Sequence, residues 1–374
     1  MDFIPVCEPY LGGNELKYVT EAVQTGWISS SGGYVAEFEQ RFSSYCGVGF
    51  GVSACNGTAA LHLALLALGV KQGDEVIIPA FTMVSSAFAV CYTGAKPVFA
   101  DADSGSWNID PGRIEEKISS RTKAIMAVSI FGRPCEMDKI RSIADRYGLK
   151  VIEDAAESHG AEYHGKKTGS LADITAFSFY ANKNLTTGEG GMVVTDDKTL
   201  YDRCRYFRNL CFPLHGARDY MHEDIGYNYR MSGLLAAIGL AQVEKADEYR
   251  AMRIRNGELY RKYLGGAEGI TLQSIEGNVL HVHWMNGIMV DPGRYGRNRD
   301  ELKTLLMERN IDTRLFFAGM HRQPSLLKYG CDAGGDYPVT DALTQNGLYL
   351  PSGSGLREDQ ILYICETIKD LGRR

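Results

Sequence analysis

Residues 174–191 read ITAFSFYANKNLTTGEGG and combine an apolar stretch, a lysine and a glycine-rich turn. The mostly apolar and β-branched start predicts a strand over residues 174–179. Lys183 follows a few residues later, and the glycines beyond it allow the backbone to pass close to a ligand. A lysine is chemically useful where a shielded pocket lets it lose its proton, although a single loop lysine is usually solvated. Whether Lys183 is a functional lysine or a solvated one therefore depends on the other motifs of the chain.

Short apolar stretches alternate with helical patterns on the N-terminal side of this segment. Strands are predicted at residues 51–54, 75–79, 97–101, 123–130, 150–153 and 191–195. Helices are predicted at 58–68, 81–93 and 137–147, and a short polar helix at 114–118. Apolar strands without alternation, separated by helices, indicate a largely parallel sheet buried on both faces. Ligands of such sheets bind at the carboxyl ends of the strands. We therefore expect the loops after strands 51–54, 75–79, 150–153 and 174–179 to surround one site.

The pattern changes after about residue 234. Residues 234–264 form a long charged helix or helix pair, and a smaller α+β pattern follows. Its predicted elements are strands near 271–273 and 281–290, a helix at 299–309, a strand near 312–316 and a helix from Arg357. This predicts a large α/β domain at residues 1–245 and a small α+β domain at 246–374. Since no linker rich in Pro, Gly or Ser separates them, the domains are expected to dock rigidly.

Composition limits the classes of partner. The 374 residues carry 40 basic and 46 acidic side chains, a net charge of −6, which argues against nucleic acid or a membrane as partner. No run approaches the ~20 apolar residues of a membrane span, and the first residues do not form a secretory signal. The nine cysteines include no Cys-x-x-Cys pair, which predicts thiols in a reducing cytoplasm and no metal site.

Two further motifs can bind charged groups. Asn56-Gly57-Thr58 at a helix start offers backbone N–H groups, a hydroxyl and the positive end of a helix dipole, or serves only as an N-cap. Residues 151–160 read VIEDAAESHG and deliver Glu153 and Asp154 at the end of a strand, where an acid can pair with a cation or a ring nitrogen. Read alone, these acids could equally cap a turn or be solvated.

The order of these motifs along nearly the whole chain resembles the fold-type I enzymes that use pyridoxal 5′-phosphate (PLP), and more narrowly the DegT/DnrJ/EryC1/StrS family of sugar aminotransferases. Within this family the chain is most similar to the GDP-perosamine synthases. The motifs that carry the resemblance are Gly26-Trp27-Ile28-Ser29-Ser30, Asn56-Gly57-Thr58-Ala59-Ala60, Gly73-Asp74-Glu75-Val76, Pro79-Ala80-Phe81-Thr82, Glu153-Asp154-Ala155-Ala156-Glu157, Ser178-Phe179 with Asn182-Lys183, Thr187-Gly188-Glu189-Gly190-Gly191, Gly226-Tyr227-Asn228-Tyr229-Arg230 and Leu350-Pro351-Ser352. The fold it implies is aspartate aminotransferase-like, with a large, mostly parallel seven-stranded sheet domain and a smaller α+β C-terminal domain.

The resemblance implies a role for each residue around the cofactor ring. Lys183 would form the internal aldimine with PLP and then act as general acid and base. Asp154 would pair with the pyridinium nitrogen and keep the ring an electron sink. Ala156 would pack on one ring face, and Glu157, where many relatives carry Gln, would lie near the 3′-hydroxyl.

The resemblance also assigns the cofactor phosphate. Gly57, Thr58 and Ser178 would hold it, and Asn228 would reach the phosphate of a neighbouring subunit, so a homodimer is implied. Met83 departs from the family, which usually places an aromatic residue here to stack on the free ring face. Methionine is polarizable and can pack on a ring, so Met83 is a candidate for this contact.

The substrate end of the site is implied less specifically. The resemblance brings Trp27, Arg218, His222, Arg230, Arg314 and His321 to the mouth or edge of the site, although a solvated loop explains Arg218 and His222 equally well. His281 and His283 have the spacing of a metal pair but lie in a strand-like run. We interpret them as structural or substrate-facing.

The implied reaction moves the amino group of L-glutamate to C4 of a nucleotide-linked 4-keto-6-deoxysugar. GDP-4-keto-6-deoxymannose would give GDP-perosamine for O-antigen or another glycan. Aminotransfer to a dTDP- or UDP-linked ketosugar is the first alternative. A PLP-dependent sugar dehydratase of the same fold would carry histidine in place of Lys183, and a non-enzymatic binding protein would not require Lys183 and Asp154. No Gly-x-Gly-x-x-Gly follows a first strand, which disfavours a dinucleotide-binding oxidoreductase.

Overall fold

The computed structural model describes residues 1–216, 220–332 and 334–372. The helices are α1 Glu15–Thr25, α2 Gly33–Cys46, α3 Gly57–Ala67, α4 Val84–Tyr92, α5 Met137–Tyr147, α6 Lys198–Arg208, α7 Gly233–Glu244, α8 Ala246–Leu264, α9 Pro292–Tyr295, α10 Arg299–Met307, α11 Pro324–Tyr329, α12 Pro338–Asn346 and α13 Glu358–Gly372. The strands are β1 Phe50–Ala54, β2 Glu75–Pro79, β3 Lys96–Ala100, β4 Thr122–Val128, β5 Lys150–Asp154, β6 Glu162–Tyr163, β7 Lys166–Lys167, β8 Ile174–Ser178, β9 Gly191–Thr195, β10 Ile270–Leu272, β11 Val279–Leu280, β12 Asn286–Val290, β13 Arg314–Leu315 and β14 Gly347–Leu350.

The central sheet has seven strands in the order β1-β9-β8-β5-β4-β2-β3. β9 runs antiparallel to both its neighbours, and the other pairings are parallel. Every strand except β9 therefore points its carboxyl end toward the same edge. This confirms the largely parallel seven-stranded sheet of the predicted fold class.

Burial on both faces explains why these strands lack alternation. Along β2, Val76 and Ile78 join one apolar cluster, and Ile77 between them joins another. Successive side chains of a strand point to opposite faces, so a sheet covered on both sides needs apolar residues at every position. Helix α3 packs on one face, over β8 and β9, and α5 packs against β4 and β5.

A second, antiparallel sheet has the order β10-β12-β14-β13. The helices α8, α10 and α13 contribute to the apolar cluster that covers it. Near the N-terminus, Ile4 bridges to Ile311, and the Val6 carbonyl accepts a hydrogen bond from the Ser352 N–H at 2.7 Å. These first residues thus pack with the second sheet, and the division at residue 245 stays a prediction. It falls between α7 and α8, which form the predicted helix pair.

The helix predicted at residues 81–93 begins only at Val84. The Ala80 N–H still bonds to the Ala100 carbonyl at 2.7 Å, which continues the pairing of β2 with β3. Phe81 is fully buried among Phe131, Phe316 and other aromatic rings. These distant contacts hold the backbone out of the helix, and no local pattern encodes them.

The segment predicted as a short polar helix at residues 114–118 forms 3-10 turns. A small third sheet, β11-β6-β7, was not expected from the sequence. Among the helices of the described residues, none has the length and apolar character needed to cross a membrane.

Candidate active site

A cavity of about 710 Å³ opens at the carboxyl edge of the central sheet. It collects residues from the segments after β1, β2, β5 and β8, as the sequence predicted, with β4 contributing Val128. The cavity is lined by Asn56, Gly57, Thr58, Ala59, Leu61, Thr82, Met83, Ser85, Tyr92, Val128, Asp154, Ala156, Glu157, Ser178, Tyr180, Asn182, Lys183, Glu189, Tyr229, Trp284, Phe317 and Tyr349. All eight residues predicted to touch the cofactor within one chain are in this set, and Asn228, predicted to act in the neighbouring subunit, is not.

Lys183 lies in the turn that follows β8, where its N–H donates to the Tyr180 carbonyl at 2.9 Å. Its Nζ is 4.0 Å from Oε1 of Glu157 and 3.6 Å from the centre of the Trp284 ring. Burial lowers the pKa of this amine, against the opposing pull of Glu157 and Asp154. A buried amine that gives up its proton readily can attack a carbonyl carbon.

Asp154 ends β5 and is buried. Its Oδ2 accepts from the Ser86 hydroxyl at 2.8 Å, and its Oδ1 accepts from the Ala156 N–H at 3.1 Å. Burial raises the pKa of the carboxyl, while Ser86, Ala156 and Lys183 oppose the rise. A protonated ring nitrogen beside Asp154 would favour the carboxylate, so this fixed acid fits the predicted pyridinium partner.

Glu157 is held by the backbone of a distant turn. Its Oε2 accepts from the Phe131 N–H at 2.7 Å, and Phe131 has a left-handed φ of 57°. Burial raises the pKa of Glu157 to about 7. Lys183 and Glu157 therefore form a buried pair in which desolvation of each group opposes the charged state.

The start of α3 forms a cradle with the end of β8. Asn56 caps the helix by accepting the Ala59 N–H at 2.8 Å, and the first N–H groups of a helix have no partner within it. A Cβ on Gly57 would lie 2.6 Å from the Cβ of Ser178, so only glycine allows this approach. Free N–H groups, the Ser178 hydroxyl and the helix dipole fit a phosphate.

The Gly26–Ser30 motif lies outside this cavity, and of the Gly226–Arg230 motif Tyr229 lines it while Asn228 and Arg230 do not. Asn228 is exposed and pairs with Asn209 in an isolated bridge, and Arg230 donates to the Asn209 side chain at 2.6 Å. Arg230 lines a second cavity of about 450 Å³ together with Ser30 and Ser31. Trp27 is 57% exposed.

Among the other predicted substrate residues, His222, Arg314 and His321 do not line the main cavity either. The His222 Nδ1 is 2.7 Å from the Leu210 carbonyl oxygen, and Arg314 forms an ion pair with Asp312. His321 is buried, stacks on Tyr337 and lies 2.9 Å from Asp341 Oδ1. Arg218 lies outside the described residues.

The sequence did not single out the aromatic wall of the cavity. The second sheet and its connections bring Trp284, Phe317 and Tyr349 to it. Trp284 follows two buried histidines, His281 and His283, whose rings stack with their centres 3.9 Å apart. The spacing of His281 and His283 stands out in the sequence, but nothing in the sequence shows that the next residue, Trp284, reaches the cavity.

Comparison with known proteins agrees with this geometry. Residues 9–369 match the DegT/DnrJ/EryC1/StrS aminotransferase family. A GDP-perosamine synthase of Escherichia coli O157:H7 is 43% identical over 99% of both chains. The S. venezuelae DesV structure "in complex with ketimine intermediate" superposes with a TM-score of 0.92 and 31% identity, over 100% of both chains.

A second solved structure bears on the cofactor. It is described as the PLP form of a putative sugar aminotransferase, Spr1654, from Streptococcus pneumoniae. Its TM-score is 0.92 at 25% identity, and 99% of each chain is covered. With the family match over residues 9–369, the chain belongs to the DegT/DnrJ/EryC1/StrS aminotransferase family and is a PLP-dependent aminotransferase.

Proposed function

We propose that the protein transfers the amino group of L-glutamate to C4 of GDP-4-keto-6-deoxymannose and forms GDP-perosamine. The observation that carries this proposal is the 43% identity, over 99% of both chains, to a protein described as GDP-perosamine synthase. The cavity supports it with an amine, Lys183, and two buried acids, Asp154 and Glu157. A product of this kind is an activated sugar, so a cytoplasmic location and entry into O-antigen or another glycan belong to the same proposal.

Lys183 carries the proton transfers in this proposal. PLP, when bound, supplies a carbonyl that accepts the amino group and a ring that withdraws electrons from the bond to be broken. Lys183 would hold PLP through its amine. Once free of the cofactor, the amine would take a proton from the α-carbon of glutamate and return it on the cofactor side of the bond. Its lowered pKa suits an amine that must both accept and donate a proton.

The two acids orient the ring. Asp154 is fixed by Ser86 and the Ala156 N–H, so its position is set before the cofactor binds. Glu157 is fixed by the Phe131 N–H and is proposed to lie near the 3′-hydroxyl. Ala156 and Met83 line the cavity and are proposed to contact the ring faces. The N-terminus of α3, with Gly57 and Thr58, and the hydroxyl of Ser178 bind the phosphate.

The active unit is proposed to be a homodimer in which Asn228 reaches the phosphate in the partner's site. Asn228 is exposed and does not line the cavity of its own chain, so a second copy gives it a function. Arg230 lines the second cavity together with Ser30 and Ser31, so parts of the two motifs meet on one surface. Three residues beyond Arg230, the Gly233 N–H bonds to the Ile28 and Ser29 carbonyls at 3.1 and 2.9 Å. Trp27 and Ile28 are exposed apolar side chains there, typical of an interface.

The substrate is proposed to enter where the partner's surface meets the cavity. Arg230 and Trp27 lie on that surface, and Arg314 is exposed. Arg218, His222 and His321 remain proposed contacts of the nucleotide-sugar at the edge of the site. Basic side chains here would offset the diphosphate charge despite the net charge of −6.

A panel of ketosugars tests the substrate. The purified protein, loaded with PLP and L-glutamate, is incubated with GDP-, dTDP- and UDP-linked 4-keto-6-deoxysugars, and products are read by mass spectrometry. We expect amination of GDP-4-keto-6-deoxymannose in preference to the others, and no product with Lys183→Ala. Preference for another nucleotide would contradict the perosamine assignment alone. Failure of the wild type to take up PLP would contradict the cofactor roles of the site residues.

A further inference from the structure

The amine of Lys183 lies against the face of a buried indole. Its Nζ is 3.6 Å from the centre of the Trp284 ring, closer than the 4.0 Å to the Glu157 carboxylate. Trp284 is 4% exposed, and the side chain of Lys183 is 10% exposed. Both line the cavity, so this contact lies where the chemistry is proposed to occur.

Trp284 is held rigidly in this position. Its indole N–H donates to the carbonyl of Asn182, the residue before the lysine, at 2.9 Å. Its own carbonyl accepts from the buried guanidinium of Arg253 at 3.1 Å. Trp284 therefore contacts Lys183 itself through its ring face and the backbone of the preceding residue through its N–H. Moving the ring would leave a buried N–H without its hydrogen-bond partner, which is unfavourable.

An indole face attracts an ammonium group more than a neutral amine. Inside a desolvated cavity this attraction is stronger than at an exposed surface. Burial acts in the opposite direction on Lys183 and lowers its pKa. The titratable groups that face the amine are Glu157, Asp154 and Cys7, and the amine in turn acts on His159. The carboxylates and the indole face thus favour the charged amine, and desolvation opposes it.

We propose that Trp284 is a positioning residue for Lys183. The ring face of Trp284 holds the free amine of Lys183 in the cavity and favours the protonated form of that amine. This rests on the proposed role of Lys183 as the cofactor lysine. During the proton transfers of each half of the reaction, the amine would be free of the cofactor and would have to stay close to the reacting carbon. Trp284 and Glu157 provide that position, with Trp284 fixing the direction of approach.

The test follows how PLP-free protein captures PLP across a range of pH. The rise of visible absorbance on mixing gives the rate, and borohydride reduction followed by mass spectrometry locates the adduct on Lys183. Only the neutral amine attacks, so the midpoint of the pH profile reports the titration of Lys183. We expect Trp284→Leu to move this midpoint down by roughly one pH unit, as loss of a desolvated cation–π contact predicts. Trp284→Phe keeps an aromatic face, so its midpoint should move less than that of Trp284→Leu.

Two controls separate positioning from packing. Trp107→Leu makes the same substitution at a buried tryptophan whose ring centre lies 5.3 Å from that of Phe316, and Trp107→Phe matches Trp284→Phe. Both Trp107 variants should leave the midpoint in place. Binding of pyridoxamine phosphate, which requires no bond to lysine, should survive in every Trp284 variant. An unchanged profile in Trp284→Leu, an equal shift in Trp107→Leu, or loss of pyridoxamine phosphate binding in both Trp284 variants would overturn the proposal. A wild type that forms no adduct on Lys183 would instead contradict the proposed function.

Discussion

At the scale of single residues, Glu153 and Asp154 show how one strand places adjacent carboxylates in different surroundings. Asp154 faces the cavity, while Glu153 accepts the Gly169 N–H at 2.9 Å on the other side of the sheet. The sequence predicted an acid at this strand end and, by resemblance, chose Asp154. Alternation along β5 gives the physical reason for that choice. The Ser86 hydroxyl that fixes Asp154 could not be predicted, because it depends on how α4 packs against β5.

His159 offers a prediction at this scale. It is buried against Phe42, Phe177 and Phe179, and neither ring nitrogen has a hydrogen-bond partner among the described residues. Burial lowers its pKa to about 3, whereas an unfolded histidine titrates near 6.5. Between these values the unfolded chain binds more protons, so the stability contributed by this residue falls as the pH falls.

His159→Phe should therefore gain stability relative to wild type on acidification, by about 1–3 kcal/mol between roughly pH 6.5 and pH 4. Thermal unfolding midpoints of both proteins at several pH values measure the gain. At about pH 8 the imidazole is neutral in both states, so the difference there reports packing alone. A difference between the two proteins that does not vary with pH would rule out this explanation.

At the scale of elements, α3 has its proposed phosphate contacts in its first turn. The sequence predicted this helix within one residue at each end, because an apolar run begins after Asn56-Gly57 and ends before a glycine. The predicted start of α4 at residue 81 was wrong, because Phe81 is buried by contacts with residues distant in the sequence and these contacts set where the helix begins. The aromatic wall could not be predicted for a similar reason, since Trp284 meets Lys183 only after two sheets have packed together.

Gly57→Ala tests the cradle. The new Cβ would lie 2.6 Å from Ser178, so the helix start must move away from β8. Overpacking of this kind costs about 1–3 kcal/mol, and we expect PLP affinity to fall roughly tenfold. Gly33→Ala is the matched control, because Gly33 also opens a helix and a Cβ there meets nothing within 4 Å. Titration with PLP measures both, and equal affinities for the two variants would show that the close approach is unimportant.

At the scale of the whole molecule, the proposed dimer has the clearest consequence. If Asn228 serves the partner's site, a chain with Lys183→Ala and a chain with Asn228→Ala should complement each other. In the mixed dimer one site combines an intact Lys183 with an intact Asn228, and the other site lacks both. Two different affinity tags isolate the mixed dimer, and we expect about half of the wild-type activity. A mixed dimer no more active than its parents would place Asn228 outside the partner's site.

The order of the central sheet also bears on how the chain folds. β1 lies at the edge of the sheet and pairs with β9, about 140 residues further along. The turn that begins α3 leaves β1 directly, and Ser178, which faces it, ends β8. Such distant pairings form slowly, because closing the intervening loop costs entropy before any contact compensates for it. Residue 195 must therefore have left the ribosome before the cradle between α3 and β8 can assemble. The helices that are synthesised first cannot complete their packing until β9, the last strand of the sheet, has paired.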